Sequence, residues 1–225
     1  MSQAVSFQRS PQLAIHPLNF YDDRRISSRQ TVITRGLIVE YQLQKPVEFI
    51  TSGLTHHVLP FRLDKVDRQQ AARIDNQECK GLYLPGEFLF CPAYTPGFSA
   101  FLPNDNPVEA IVFMAEPTVL QQTAAETHCL HPHQVELLGT PKTRDPQIAA
   151  IATLFLNEIN TGGLGGLVYA ESLANLFLIH LLRHYCAFEP KLKQYPGGLS
   201  SHKLQQAIDY IQANLDQKLS LDAIA

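Results

Sequence analysis

Between Gly36 and Ala115 the chain is built from short apolar runs of period two, cut by turn residues at Pro85-Gly86, Pro92, Pro96-Gly97 and 103–107. This pattern constrains the fold more than any other feature. Short strands at near-regular spacing, separated by Pro and Gly, predict an antiparallel sandwich or barrel and exclude parallel strand–helix–strand units. In 37–44, Leu37, Val39, Tyr41 and Leu43 alternate with Ile38, Glu40, Gln42 and Gln44, the signature of a half-buried strand. Further strands are expected over 54–63, 79–84, 87–91, 97–102 and 108–114. Glu109 marks the outward face of the last, which turns Val108, Ala110, Val112 and Met114 inward; Glu87 by the same reasoning turns Phe88 and Phe90 inward.

After Pro117 the period changes to that of helices. Asp145-Pro146 opens one with Pro at its first position, where the missing N–H has no helical partner to lose. Ile148, Ile151, Ala152, Phe155 and Ile159 then fall on one face. Glycines at 162–166 break the chain, and 166–188 forms a longer helix, apolar on most sides. Such a helix needs cover on more than one face, and a second copy of the chain is a candidate for part of it. Residues 1–35 read as an irregular, Arg-containing arm, 36–117 as the β domain, 118–190 as a helical linker and dimerisation region, and 191–199 as a linker.

The last stretch, 200–225, holds two helix starts. Ser200 is an N-cap flanked by Leu199 and Leu204, and Leu204, Ile208, Ile211 and Leu215 make one apolar stripe. Leu219, Ser220, Asp222 and Ile224 repeat the device, with Ser220 as cap and Ile224 as its staple. A segment of six residues cannot persist alone as a helix.

These C-terminal residues, LQQAIDYIQANLDQKLSLDAIA, resemble the opening of the DNA-binding domain of the AraC/XylS family of bacterial transcriptional regulators. The helix over 169–185 is similar to the one that often precedes that domain, and 81–92 with 108–114 resembles the second half of a cupin sensor domain. The resemblance implies an α+β protein: a cupin-like β-barrel or sandwich that binds a small-molecule effector, an α-helical hairpin, and the start of a helix-turn-helix unit. It also implies operator DNA as partner of the intact regulator, and a homodimer. In the family each recognition helix enters the major groove. The expectation here is a truncated DNA-binding domain, a fragment that stops before the first such helix.

Composition agrees with a folded protein and excludes some alternatives. With 45% apolar and 17% charged residues over 225 positions, the chain is too apolar to be disordered. Its net charge of −3 supplies no global basic field for nucleic acid. Cys79, Cys91, Cys129 and Cys186 are scattered and read as reduced thiols. The N-terminus lacks a signal-peptide core and 166–188 is interrupted by polar residues, so a cytoplasmic protein without a membrane span is expected.

The candidate chemistries are sparse. Metal-dependent cupins offer His and Glu ligands at fixed spacing. Here Gly86 and Pro92 keep part of that spacing, whereas Tyr94 and Gly97 stand where a Gly and a His would be, and adjacent His56 and His57 point to opposite faces of a strand. His128, Cys129, His131 and His133 form a donor-rich loop without the second ligand pair that structural zinc sites use. Neither a phosphate-binding loop nor a GxSxG elbow is present. No metal, cofactor or catalytic residue is expected. A ligand pocket is expected inside the β domain, with His56, Arg62, Tyr83, Phe90 and Tyr94 as its lining. The alternatives are a stand-alone cupin that binds a small molecule or dimerises without DNA, and a cupin metalloenzyme.

Overall fold

A computed structural model describes residue 16 and residues 26–45, 48–75, 77–96, 98–101, 107–127, 131–162 and 165–187. By its contacts the chain divides into units 1–191 and 192–225, and all described residues lie in the first. The helix starts expected over 200–225 lie outside them. In chain order the elements are β1 (Ile26–Thr34), β2 (Leu37–Gln44), β3 (Glu48–Thr51), β4 (His57–Arg62), β5 (Arg68–Ile74), β6 (Gln77–Tyr83), β7 (Glu87–Phe90), β8 (Phe98–Phe101) and β9 (Val108–Ala115). Helix α1 (Pro117–Glu126), strand β10 (Thr140–Arg144), helix α2 (Pro146–Asn160) and helix α3 (Gly166–His184) complete them. The mixed α+β composition matches the expectation.

One sheet has the order β1-β2-β9-β4, a second β3-β8-β5-β6, and β10 pairs with β7. Every pairing is antiparallel. The two four-stranded sheets face each other across a core that joins Ile38, Val58, Val108 and Val112 to Ala72, Ile74, Phe98 and Ala100. The opposite face of the first sheet, through Leu37, Val39, Leu59, Ile111 and Phe113, packs against the helices. Phe113 stacks on Phe177 of α3 at 4.4 Å and meets Phe155 of α2 edge-on at 5.7 Å.

Of the two architectures expected for the β domain, the structure is a sandwich and its sheets do not close into a barrel. Between β4 and β7 the pairing is short for a local reason. Val58 and Cys91 exchange both backbone hydrogen bonds, at 2.8 and 2.9 Å. The next residue on that edge of β4 is Pro60, which has no N–H to continue the ladder. The seam stops at one bridge.

Three differences from the sequence-based expectation have physical causes. Ile26–Thr34, in the stretch read as an irregular arm, is a strand, joined to β2 by a tight turn in which Arg35 and Gly36 both have positive φ, 43° and 77°. Arginine there is not the usual hairpin signal. A side chain at Gly36 would also crowd Val119 Cβ, at 3.2 Å. Second, β2 is buried on both faces through Glu40, since the helices cover one side and the second sheet the other. Third, Thr140–Arg144 is a strand in a stretch read as helical; Thr143 and Arg144 pair with Phe88 and Glu87.

Helix α2 begins where the Asp145-Pro146 signal places it. Asp145 Oδ1 accepts from the N–H groups of Gln147 and Ile148 at 2.8 and 3.2 Å. Its other oxygen lies 2.6 Å from His180 Nε2 and accepts the Tyr185 hydroxyl at 3.0 Å. Burial works to raise the Asp145 pKa, but the bonds from His180 and the two backbone N–H groups outweigh it and hold the carboxyl below its usual range. Past α3, Leu138 N–H donates to Tyr185 O at 2.7 Å and Ala187 N–H to Glu136 O at 2.8 Å. One carboxylate thus joins the end of β10, the start of α2, α3 and the segment that leaves the domain. Along α3, Leu167, Val168 and Leu176 are exposed at 64%, 77% and 50%.

The 92–96 loop is tied to β4 by Ala93 N–H, which donates to His57 Nδ1 at 3.0 Å. Burial, helped by the neighbouring His56, lowers the His57 pKa from 6.5 to about 4.

Two stability predictions follow from these contacts. Asp145→Ala removes the cap and the bonds to His180 and Tyr185 together, and should cost about 3 kcal/mol in urea unfolding, whereas Asp145→Asn, which keeps a capping oxygen, should cost roughly half that. For His57 the unfolded chain takes up a proton near 6.5 and the folded chain near 4. Its contribution is therefore complete above pH 6.5, falls as pH drops through that window, and levels off below it, by at most about 3 kcal/mol. His57→Gln should flatten the pH dependence between those limits, measured by urea midpoint.

Candidate functional site

The even-numbered residues of β2 point into the sandwich and change character along it. Ile38 belongs to the apolar end; Glu40, Gln42 and Gln44, all buried, form a polar row. Residues two apart on a strand share a face, and this row is linked: Thr31 Oγ1 donates to Glu40 Oε1 at 3.1 Å, Gln42 Nε2 to Glu40 Oε2 at 2.6 Å, and Gln44 Nε2 to Gln42 Oε1 at 3.0 Å. Buried amides and carboxylates need such partners.

The row ends at a pocket enclosing about 450 Å³ of space between atoms, part of it open to solvent. Pro60, Phe88 and Leu89 line it at the seam that Pro60 leaves unzipped, while Ala100 and Val108 are small enough to leave room opposite Gln44. Besides Gln44, the buried polar residues of its lining are Arg62 and Gln70, from β4 and from β5 of the facing sheet. They are 6% and 8% exposed.

Arg62 is held firmly on one side. Its Nε and Nη2 donate to Asp64 Oδ1 at 3.0 and 2.6 Å, and Nη2 also donates to Val66 O at 2.6 Å. The chain doubles back after β4, so Asp64 returns to the guanidinium two residues later. Arg62 Nη1 has no partner, and neither has Gln70 Oε1. An unpaired buried polar atom costs about 1–3 kcal/mol. Here the two residues that carry such atoms line the same pocket. Glu87, at its rim, accepts Leu84 N–H at 2.8 Å and pairs with Lys142 at 3.0 Å.

The five lining residues expected from sequence do not converge. Arg62 lines this pocket. Phe90 faces the helix-side core, edge-on to Tyr185 at 5.4 Å. Tyr83 is buried beneath Lys142 and donates its hydroxyl to Pro141 O at 2.6 Å; burial, with Cys79 and Glu87 nearby, raises its pKa. His56 is buried with its Nδ1 2.9 Å from Thr55 Oγ1, its Nε2 unpartnered, and its ring against His16. Burial and His16 lower its pKa against the pull of Glu116. Tyr94 is 63% exposed with φ of 59°, on a surface cleft shared with His57 and Leu138. Sequence reasoning passed over Gln44 and Gln70. The signal for Gln44 lies in the alternation of β2, which separates two faces without saying which one meets solvent.

Among the described residues no group of three or more His, Cys, Asp or Glu is arranged to hold a metal ion. His131 and His133 are exposed, and 128–130 lie outside the described residues. Cys91 is a buried thiol pushed up to about 12, which keeps it protonated and unreactive. Among the described residues no helix is long and apolar enough to cross a membrane.

No protein-family model matches the sequence, and no curated protein matches it. Solved structures similar to it include the AraC-like transcriptional activator CuxR, 13% identical, with 87% of this chain and 67% of that one covered at a TM-score of 0.47. The EutQ protein of Clostridium difficile is 15% identical, with 39% of this chain and 66% of that one covered at 0.29. An RmlC-like cupin of Desulfovibrio desulfuricans is 14% identical, with 50% and 97% covered at 0.29. Likeness this loose fixes neither fold nor function for this chain.

Proposed function

We propose that this chain is the sensing and dimerising part of a transcriptional regulator of the AraC/XylS type, with the β-sandwich as effector-binding domain and α3 as part of a homodimer interface. The observation that carries the sensing role is the pocket between the sheets, two of whose lining residues, Arg62 and Gln70, are buried and each keep one polar atom without a partner. A core selected for packing alone would fill such a space with apolar side chains. The regulatory role rests on the likeness of 204–225 to the opening of the family's DNA-binding domain, with Leu204, Ile208, Ile211 and Leu215 as its first apolar stripe and Ser220 and Ile224 opening the next helix. Effector binding would act by shifting the population of arrangements open to the DNA-binding units of a dimer.

The dimer interface is assigned to the exposed apolar side of α3. Val168 and Leu176 lie two turns apart on that helix and are both half or more exposed, a pattern that favours burial against a second copy. Sedimentation equilibrium should report a dimer, and Leu176→Glu should return it to monomer with an unchanged circular dichroism spectrum; a monomeric parent chain removes this part of the reading. Immunoprecipitation of the native gene product with its cross-linked DNA should recover discrete promoter segments. Recovery of none overturns the regulator and leaves the stand-alone ligand-binding protein.

A further inference from the structure

A second cavity shares no lining residue with the pocket between the sheets. It is a surface cleft of about 570 Å³, within the ~300–1,000 Å³ of small-molecule sites. Three of its segments meet at Gly139, where a Cβ would lie 2.7 Å from Pro92 Cδ and 2.8 Å from Ile74 Cγ2. Only glycine lets 135–139 approach the 92–96 loop and the end of β5 this closely. The meeting brings Asp75, Tyr94 and Leu138 onto one cleft, with Leu120 and Gln121 contributed by α1. Glu136 and Leu138, which also line it, bond through their backbones to Ala187 and Tyr185. The cleft therefore borders the segment that anchors the end of α3.

The lining combines apolar surface with one sign of charge. Tyr94 and Leu138 are both largely exposed, so packing does not account for the tyrosine ring. Its residue has φ of 59°, a region where a bulky side chain is an outlier. Tyr94 N–H donates to Leu54 O at 2.6 Å and Thr95 Oγ1 to Pro92 O at 2.9 Å, which fixes the loop in that form. The loop thus presents an aromatic surface to the cleft. Among the described lining residues the carboxylates are Asp75 and Glu136, both exposed, and no Lys or Arg accompanies them. His57 is neutral above about pH 4 and adds no positive charge. Such walls complement an apolar body that carries a positive charge; they repel an anion and offer a neutral molecule the apolar contact alone. We propose that this cleft binds a small organic ammonium ion, its apolar body against Tyr94 and Leu138 and its charge facing the acidic side chains of the lining.

Benzylamine, protonated at neutral pH, benzyl alcohol and benzoate are close in size and differ in charge. In ¹H–¹⁵N spectra of the full 225-residue chain, benzylammonium should shift the amides of 93–95 and 135–139 saturably at millimolar concentration, the range open to so small a ligand. Benzyl alcohol should bind about fivefold more weakly and benzoate more weakly still, with the preference for the cation shrinking as salt is raised. Tyr94→Asn removes the ring and suits the positive φ, so it should weaken benzylammonium at least about fivefold without loss of stability in urea. Asp75→Asn combined with Glu136→Gln keeps side-chain size and the Glu136 backbone carbonyl, and should make benzylammonium and benzyl alcohol bind alike; the dispersion of the same spectra shows whether each variant is folded. Benzyl alcohol or benzoate binding the parent chain as tightly as benzylammonium overturns the cationic class. Unaltered binding in Tyr94→Asn overturns the contact with its ring. Amides of both segments unchanged by all three probes overturn the site, while promoter recovery tests the regulator separately.

Discussion

Strand β9 is the element on which the rest of the structure depends. Every residue from Val108 to Ala115 except Glu109 is buried, so the strand has no solvent face. Its even positions fill the sandwich and its odd positions meet the helices. A strand of this kind needs cover on both sides before it is stable, and β2 and β4, hydrogen-bonded along its two edges, carry the same two-sided demand outward. The sandwich and the helical layer are therefore coupled through one sheet. Loss of either would expose half of β9 to water, at a cost of about 1.5–3 kcal/mol for each large apolar side chain.

That coupling has a polar counterpart in Asp145. Strand β7, which contributes Phe88 and Leu89 to the pocket, pairs with β10, and β10 runs directly into Asp145. The carboxylate holds His180 and Tyr185, and Tyr185 precedes the segment that pairs with 136–138 as the chain leaves the domain. A continuous chain of hydrogen-bonded strands and capped helices thus runs from the pocket wall to the exit. Contiguity is not itself coupling. It does tie the pocket wall to α2, α3 and 185–187 through one carboxylate.

The parts legible in the sequence were those in which a local rule agreed with the tertiary environment. Asp145-Pro146 opened α2 where expected because capping is satisfied within a few residues. Val108, Ala110, Val112 and Met114 face the sandwich interior as the alternation predicts. The failures came where a distant element decided. Thr140–Arg144 became a strand because β7 was there to pair with it, and Arg35 took a positive φ inside a turn anchored by its own contacts to Glu126 and Asn175. Period two separates the faces of a strand without saying which one meets water, so the alternation in β2 does not reveal that Glu40, Gln42 and Gln44 are buried.

The pocket follows from the same limit on local rules. Pro60 lies on the edge of β4 that meets β7, and the ladder between them stops after one bridge. Had an N–H stood there, β4 and β7 could have zipped further and the polar row of β2 would have ended against a continuous wall. With the seam open, the sandwich keeps space beside Arg62, and the small side chains of Ala100 and Val108 do not fill it. A buried guanidinium tolerates this only because Asp64 and Val66 fix most of its donors. What remains is one free edge of Arg62, one free oxygen of Gln70 and an apolar wall. The missing N–H of a single proline thus accounts for a β4–β7 ladder one bridge long, beside which the pocket lies.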